Sequence, residues 1–559
     1  MENTHMEREC PTLSALAWTV IKNRYLARNC AGDLIETPAD MFHRVAASVA
    51  RADRLFDTGA DLSKTTESFE AVLASLAFLP NSPCLMNAGT PLGQLAACFV
   101  LPVQDRPEAM CQTMKEAAII HGACGGIGFS FSRLRPRGDT ILQACGGAEG
   151  PVAFIRQLDR AAGRTDQNRR RPAANMAVLE ISHPDIEAFI NAKQTRGELR
   201  HFNLSVAVDD QFMDCVNSGR NYPLVHPGTG KAVGRRNAEE IFERMASSAW
   251  QTGDPGLLFI DRINRDNPLP RMGRICATNP CGEQPLLPYE SCTLGSINLT
   301  KVVENKEINF DELDRLARTA VHFLDNVIEI NHYPLRQIEE ASRSTRKIGL
   351  GVMGFADMLI LLNIPYQSDR AVAVAGRIMS RIQRSAEAES ASLALVRGNF
   401  PCFEHSIFPK RGVRLRRNAT LTTVAPTGSI SLIAGVSSGI EPVFAFRGRR
   451  RINGILYDDI HPIYARYQKD QKPIPKEVFQ SAWDVAPEWH LKVQAAFQRH
   501  TDNAVSKTVN LPGSATREDV QQVFLNAHAM GLKGITIYRD TSHGDQVLNT
   551  CTVNREDCG

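Results

Sequence analysis

The chain has 559 residues, 43% of them apolar and 22% charged, with a formal net charge of +3. That balance is typical of soluble globular proteins, and the absence of a basic tail or long like-charge run argues against a nucleic-acid polymer as partner. No signal peptide and no uncharged apolar stretch of about 18 residues is readable, so no membrane span is expected and a cytoplasmic location is.

Residues 1–77 are expected to form an N-terminal helical region. The runs at 18–26 and 41–56 place apolar residues at helical spacing, and Thr37 ahead of Pro38 is a natural N-cap. From residue 78 the texture changes. Short apolar or β-branched runs at 96–103, 128–134, 175–181, 202–208 and 256–260 alternate with helical segments, which predicts an α/β fold with a parallel or mixed sheet wrapped by helices. Two strong amphipathic helices are expected at 312–330 and 371–396. The arginines Arg447, Arg449, Arg450 and Arg451 read as a solvated loop. Residues 534–540 read as a last strand, closing a catalytic region over 78–540. Residues 541–559 are polar, carry Cys551 and Cys558, and are expected to be a mobile tail.

Fourteen cysteines are present, with no CxxC pair, so no zinc knuckle and no metal ligands are expected. A reducing compartment argues against a disulfide framework, and most of the cysteines are expected to be small buried hydrophobes. The exceptions should lie in the run 279–283, Asn-Pro-Cys-Gly-Glu. If that run is extended, Asn279, Cys281 and Glu283 share one face. A carboxylate beside Cys281 makes it a poor thiolate, and so suits it to donating and accepting a neutral hydrogen atom.

The run continues as NPCGEQPLLPYESCTLGSINL to 299 and includes Cys292. Upstream lies FLPNSPCLMNAGTPLGQLAACFVLPV (78–103) with Cys98, then CGGIGFSFSRLRPRGD (124–139). Downstream follow TRKIGLGVMGFADML (345–359), APTGSISLIAGVSSGIEP (425–442) and GLKGITIYRD (531–540). In this order the motifs resemble the large catalytic chain of ribonucleotide reductases, and most of all the adenosylcobalamin-dependent class II type, over about residues 15–540.

The resemblance implies a ten-stranded α/β barrel with the 279–283 run on an inner loop. It implies that Cys281 carries a transient thiyl radical, that Glu283 is the general base, that Asn279 orients the ribose hydroxyls, and that Cys98 and Cys292 deliver two electrons and end as a disulfide. Their Cα atoms must then lie within about 7 Å. Ser82, Ala97 and Gly126 match substrate-contacting positions, although Gly125 and Gly126 also suit a plain turn. Pro426, Thr427, Gly428, Ser429 and Ile430 precede an apolar run, where hydroxyls and free N–H groups make either an anion site or an ordinary helix cap. Cys551 and Cys558 resemble a shuttle dithiol reduced by thioredoxin, at wider spacing than is usual in the family; two unused cysteines are the alternative.

Tyr538 is followed by Arg539, so the adjacent tyrosines of class I chains are missing, and no glycyl-radical site is recognisable. Adenosylcobalamin is therefore the implied cofactor, a ribonucleoside diphosphate the implied substrate, and a homodimer with dNTP or ATP effectors the implied assembly. The alternatives are a class I-type large subunit needing a metal-radical partner, or a silent nucleotide-binding relative. Cys84 and Ile127 depart from the family pattern, and the segment 164–186 is poorer in glycine than the family's effector-relay loop. An N-terminal ATP-cone is not expected.

Overall fold

The computed structural model describes residues 12–141, 146–165, 173–195, 197–452, 455–540, 542 and 548–550. Helices α1 (Ala15–Arg24), α2 (Pro38–Ala50) and α3 (Leu62–Ala74) come first. Thr37 caps α2, and Asp40 returns a bond to the Thr37 N–H in a capping box. Phe42, Val45 and Val49 of α2 and Phe69, Val72 and Leu73 of α3 share one apolar core with Leu316, Ala320 and Phe323 of the helix Phe310–Ile330. Among the described residues no helix is long and apolar enough to cross a membrane.

Ten strands form one sheet. They are β1 (Phe78–Pro80), β2 (Cys98–Leu101), β3 (Gly126–Ser130), β4 (Asn175–Glu180) and β5 (Phe202–Val208), then β6 (Gly256–Phe259), β7 (Ser291–Asn298), β8 (Ile348–Met353), β9 (Thr508–Leu511) and β10 (Gly534–Arg539). From β2 to β6 each strand runs parallel to the next. β10 meets β6 antiparallel and β9 parallel. β7 runs parallel to β8 and antiparallel to β2.

Segment 420–424 fills the gap between β8 and β9. Leu350 bridges Thr422 and Val424 bridges Val505, both in parallel sense. Leu350 N–H donates to Leu421 O at 2.7 Å, and Ser506 N–H to Val424 O at 2.8 Å. The ring is thereby closed, as two parallel half-barrels joined antiparallel at two seams. β1 lies further along the β7 edge that β2 uses.

Alternation along the staves separates inside from outside. Cys98 and Val100 of β2, and Met176 and Val178 of β4, join an inner core with Ala277, Leu286 and Cys292. Phe99, Leu101, Ala177 and Leu179 face outward into a second core. Two staves keep their inner surface bare. A Cβ on Gly128 would fall 1.7 Å from Thr278 O, and one on Gly351 would fall 2.3 Å from Thr423 O.

A buried ion network ties the N-terminal helices to the barrel. Asp53 accepts from His322 at 2.8 Å and Arg397 at 2.7 Å. Arg397 also reaches Asp325 at 2.9 Å, and Asp325 accepts from Arg346 at 2.7 Å. Burial opposes ionisation of Asp53, but His322, Asn326 and Thr65 outweigh it and hold the carboxyl far below the usual range. Asp325 is held down in the same way, with Arg346, Arg417 and Arg397 outweighing its burial.

Three expectations are corrected. The arginine cluster is a strand, Arg447–Ile452, paired antiparallel with Ile455–Ile460. Part of the expected tail, Leu548–Thr550, pairs with that strand. Of the ten described cysteines only Cys84, Cys98, Cys215 and Cys292 are buried, because several lie on helix faces and turns that the ring leaves outside.

Gly351→Ala should cost about 1–3 kcal/mol by overpacking. Gly376→Ala, in the helix Asp369–Arg397 with nothing within 4 Å of the added Cβ, should gain about 0.5–1 kcal/mol. Urea unfolding checks both, and the reverse order would contradict the packing described. The depressed carboxyls contribute stability that is present above the ordinary carboxylate pKa and lost as pH falls through and below it. Tm should therefore drop between about pH 5 and pH 3, with a flatter slope in Asp53→Asn; an equal slope would dismiss the network as its source.

Candidate active site

Residues 277–286 fold back on themselves inside the ring. Ala277 pairs with Leu286 and Thr278 with Pro285. Between them, Gly282 N–H donates to Asn279 O at 3.1 Å, closing a β-turn over Asn279–Gly282. Pro280 presets the second position of that turn, and Gly282 supplies a φ of +81°. The extended run expected for 279–283 is thus corrected to a turn, and alternation does not align the three polar residues. Cys281 is exposed at the tip, while Asn279 and Glu283 are buried.

Both half-barrels fasten this loop. Asn203 of β5 donates through Nδ2 to Pro280 O at 2.8 Å. Glu283 O accepts from Ala504 N–H at 3.0 Å and from Thr423 Oγ1 at 2.8 Å. Asn279 closes the loop on itself, its Oδ1 accepting from Gln284 N–H at 2.9 Å. Its Nδ2 points the other way and donates to Cys98 Sγ at 3.1 Å.

Cys98 and Cys292 sit directly opposite each other across the β2–β7 seam. Opposed antiparallel residues have Cα atoms about 4.5–5.5 Å apart, inside the range a disulfide needs. Both are buried and unoxidised. Burial pushes the Cys292 thiol well above its ordinary value; Lys347 opposes this, and Glu290 and Glu283 add to it. The thiol therefore keeps its proton at neutral pH, and Glu283 lies close enough for its charge to be felt there. The sulfurs 98 and 292, Asn279 and the loop that ends in Cys281 form one cluster.

Beside Cys292 lies a pair the sequence reading missed. Lys347 Nζ meets Glu290 Oε2 at 2.6 Å, with both side chains almost wholly buried, and the same oxygen accepts from Leu287 N–H at 2.6 Å. Lys347 stands inside a motif quoted for its glycines, and a lone lysine there gave no signal of its partner.

The remaining residues expected from the sequence lie at β2, β3 and two short helix starts. Ala97 precedes β2, and its carbonyl accepts from Gly126 N–H at 2.9 Å; Gly126 is register partner to Cys98. Ser82 opens the helix Ser82–Asn87, and its hydroxyl meets Tyr25 OH at 2.8 Å. Pro426 and Thr427 lead into the helix Gly428–Ala434, which has no side-chain cap; Thr427 sits at φ +58°. Its Oγ1 accepts from Gly439 N–H at 2.8 Å. Gly428 is exposed, Ser429 half-buried and Ile430 buried. Arg24, next to Tyr25 on α1, donates to Ser429 Oγ at 3.3 Å, so neighbouring residues of one helix end touch both Ser82 and the 426–430 loop. Cys551 and Cys558 lie outside the described residues.

Removing one partner of a buried ion pair strands the other, so Lys347→Met should cost about 3–5 kcal/mol. Lys347→Met combined with Glu290→Leu should recover most of that in chemical denaturation. A double variant no more stable than the single one would contradict the pairing.

Comparison with known proteins places the whole architecture. The family model for the ribonucleotide reductase all-alpha domain matches residues 12–93, and that for the ribonucleotide reductase barrel domain matches 96–415 and 408–538. A vitamin B12-dependent ribonucleoside-diphosphate reductase of Mycobacterium tuberculosis (strain CDC 1551 / Oshkosh) is 47% identical, over 96% of this chain and 81% of that protein. One from Thermoplasma acidophilum is 42% identical, over 97% of this chain and 80% of its own length. The ribonucleoside-diphosphate reductase subunit alpha of Treponema pallidum is 28% identical, over 94% of this chain and 70% of that protein. With its closed ring of two half-barrels, its inner cysteine loop and these matches along nearly its full length, the chain belongs to the ribonucleotide reductase large-chain family.

Proposed function

We propose that this chain converts ribonucleoside diphosphates to 2′-deoxyribonucleoside diphosphates as an adenosylcobalamin-dependent reductase. The observation that carries the reading is the placement of Cys98 opposite Cys292, with Asn279 of the Cys281 loop bonded to Cys98. The substrate and the cofactor are those in the names of the Mycobacterium tuberculosis and Thermoplasma acidophilum relatives.

A radical source must reach Cys281 Sγ, and the exposed tip meets that demand. Gly282 and Ala174 are partly open and Asn203 is exposed. Asn203 is bonded to the loop, and Ala174 O and Pro280 both lie near Gly126. These are the residues that would touch adenosylcobalamin, which when bound supplies the radical from its Co–C bond.

The chain's own residues do the rest. Cys281, as a thiyl, takes the 3′-hydrogen of the ribose, and Glu283 takes the 3′-hydroxyl proton. The 2′-hydroxyl leaves as water with a proton from the Cys98–Cys292 pair. The pair then gives a hydrogen atom to C2′ and one further electron, closing as a disulfide; Glu283 returns its proton to the 3′-oxygen, and Cys281 returns its hydrogen to C3′. Cys292 suits this because burial keeps its proton on sulfur until it is needed. Asn279 orients the ribose hydroxyls and, in the resting site, holds Cys98.

The diphosphate sits at Pro426, Thr427, Gly428, Ser429 and Ile430, where an uncapped helix start favours the anion reading over the capping one; Ser82, Ala97 and Gly126 complete the pocket. Cys551 and Cys558 relay electrons from a thioredoxin-type reductant. The chain works in the cytoplasm as a homodimer, with the segment 164–186 relaying dNTP or ATP effectors. Residues 1–77, 78–540 and 541–559 serve as helical region, catalytic barrel and dithiol tail.

Anaerobic turnover of a ribonucleoside diphosphate with adenosylcobalamin and a dithiol tests this. Cys281→Ser should abolish both deoxynucleotide formation and 3′-hydrogen exchange. Cys292→Ser should block repeated turnover while radical formation persists. Glu283→Gln should lose about 10²–10⁴-fold in rate. Equal product from Cys281→Ser and the parent would end the proposal.

A further inference from the structure

At the opposite end of the ring from the 426–430 loop lies a cavity of about 650 Å³, where β6 ends and where β10 and segment 420–424 begin. That volume is within the usual range of small-molecule sites. Arg262, Arg265, Arg411, Arg499 and Lys533 line it, against the carboxylates Asp266 and Asp502. Each carboxylate is already engaged, Asp266 by Lys533 at 2.8 Å and Asp502 by Arg416 at 3.2 Å. Arg265 is likewise paired, with Asp210 at 3.4 Å, so the excess positive charge of the wall rests on Arg262, Arg411 and Arg499.

Arg262 is the sharper observation. Its Nε and Nη1 are buried and, among the described residues, have no hydrogen-bond partner. Buried donors are nearly always satisfied in native proteins, so two orphaned donors on a residue of the cavity wall, whose guanidinium stands 5.7 Å over the Phe259 ring, are an exception. The imidazole of His500 is pushed below its ordinary value by burial and by the charges of Arg499 and Arg384, as expected in a field short of anions. A second hollow of about 560 Å³ shares Ala495, Arg499 and Met530 with it and adds Arg377 and Lys492 beside Val372, Ala373, Ala496 and Ala529. The second hollow is thus cationic too, with small apolar side chains between its charges.

We propose that this cavity binds a small organic di- or triphosphate, with its phosphates among Arg262, Arg265, Arg411 and Arg499 and its organic part against Val372, Ala373 and Ala496 of the second hollow. Guanidinium forks match phosphate oxygens in pairs. The site shares no residue with the 426–430 loop, with the cysteine cluster or with the 164–186 segment.

Hydrogen exchange on the full chain tests this, with sodium tripolyphosphate and ATP as separate probes. Both should slow exchange in 495–503 and 530–533, with ATP acting at lower concentration and extending protection to 372–377. Arg262→Gln and Arg499→Gln should each weaken this protection by about tenfold or more while protection at 426–430 is unchanged. Without ligand, Arg262→Gln should leave Tm unchanged or raise it, because it removes an unsatisfied buried donor. No protection at 495–503 by either probe, or equal protection in both variants, would overturn the proposal. A lowered Tm with undiminished protection would give Arg262 a structural role instead. Tripolyphosphate acting as well as ATP would overturn the part given to the small apolar side chains of the second hollow.

Discussion

A loop inside a barrel has no water to satisfy its backbone, so the barrel must do so. Everything at this centre depends on that constraint. Glu283 O is held by Ala504 N–H and Thr423 Oγ1 from one half-barrel, and Pro280 O by Asn203 from the other. The bare inner face at Gly128 makes the room, since a Cβ there would strike the Thr278 carbonyl of the loop; at Gly351 it admits the Thr423 carbonyl of the neighbouring stave. The reactive turn is therefore positioned by main-chain bonds to two separate sets of strands. Its accuracy follows from the closure of the ring more than from any side chain at the tip.

The chemistry was easier to read in the sequence than the geometry. Cys98, Cys281, Cys292 and Glu283 stand out because several long motifs occur in order, and the first half-barrel stands out because its strands are short, apolar and separated by helices. The stave 420–424 was missed because Thr420, Thr422 and Thr423 interrupt the apolar pattern; the buried hydroxyls bond to main-chain carbonyls, Thr420 to Ile348 of β8 and Thr423 to Ala504 and Glu283. The shape of 279–283 was misread because Pro280 serves both an extended chain and the second position of a turn, and only the Gly282–Asn279 bond decides. One readable signal went unused. Glycines at alternate positions, Gly126 with Gly128 and Gly349 with Gly351, mark a strand face approached closely by another backbone.

Polar burial serves different ends in different parts of the molecule. The Asp53–Arg397–Asp325–Arg346 network is fully paired and joins helices to barrel. The Lys347–Glu290 pair lies against Cys292 and modulates the field at its sulfur. The guanidinium of Arg262 has no such partner at two of its nitrogens. Uncompensated burial of this kind is costly in a resting structure, and it survives most readily where something else completes the contact.

The register that sets Cys98 against Cys292 has a consequence for recycling. The two residues face each other on neighbouring strands, so joining their sulfurs demands little backbone movement, and oxidation leaves the wall of the chamber nearly as it was. The same placement leaves both sulfurs buried, out of direct reach of dissolved thiols. For the reductase proposed above, a pair buried in this way favours a reductant tethered to the enzyme over one that diffuses freely.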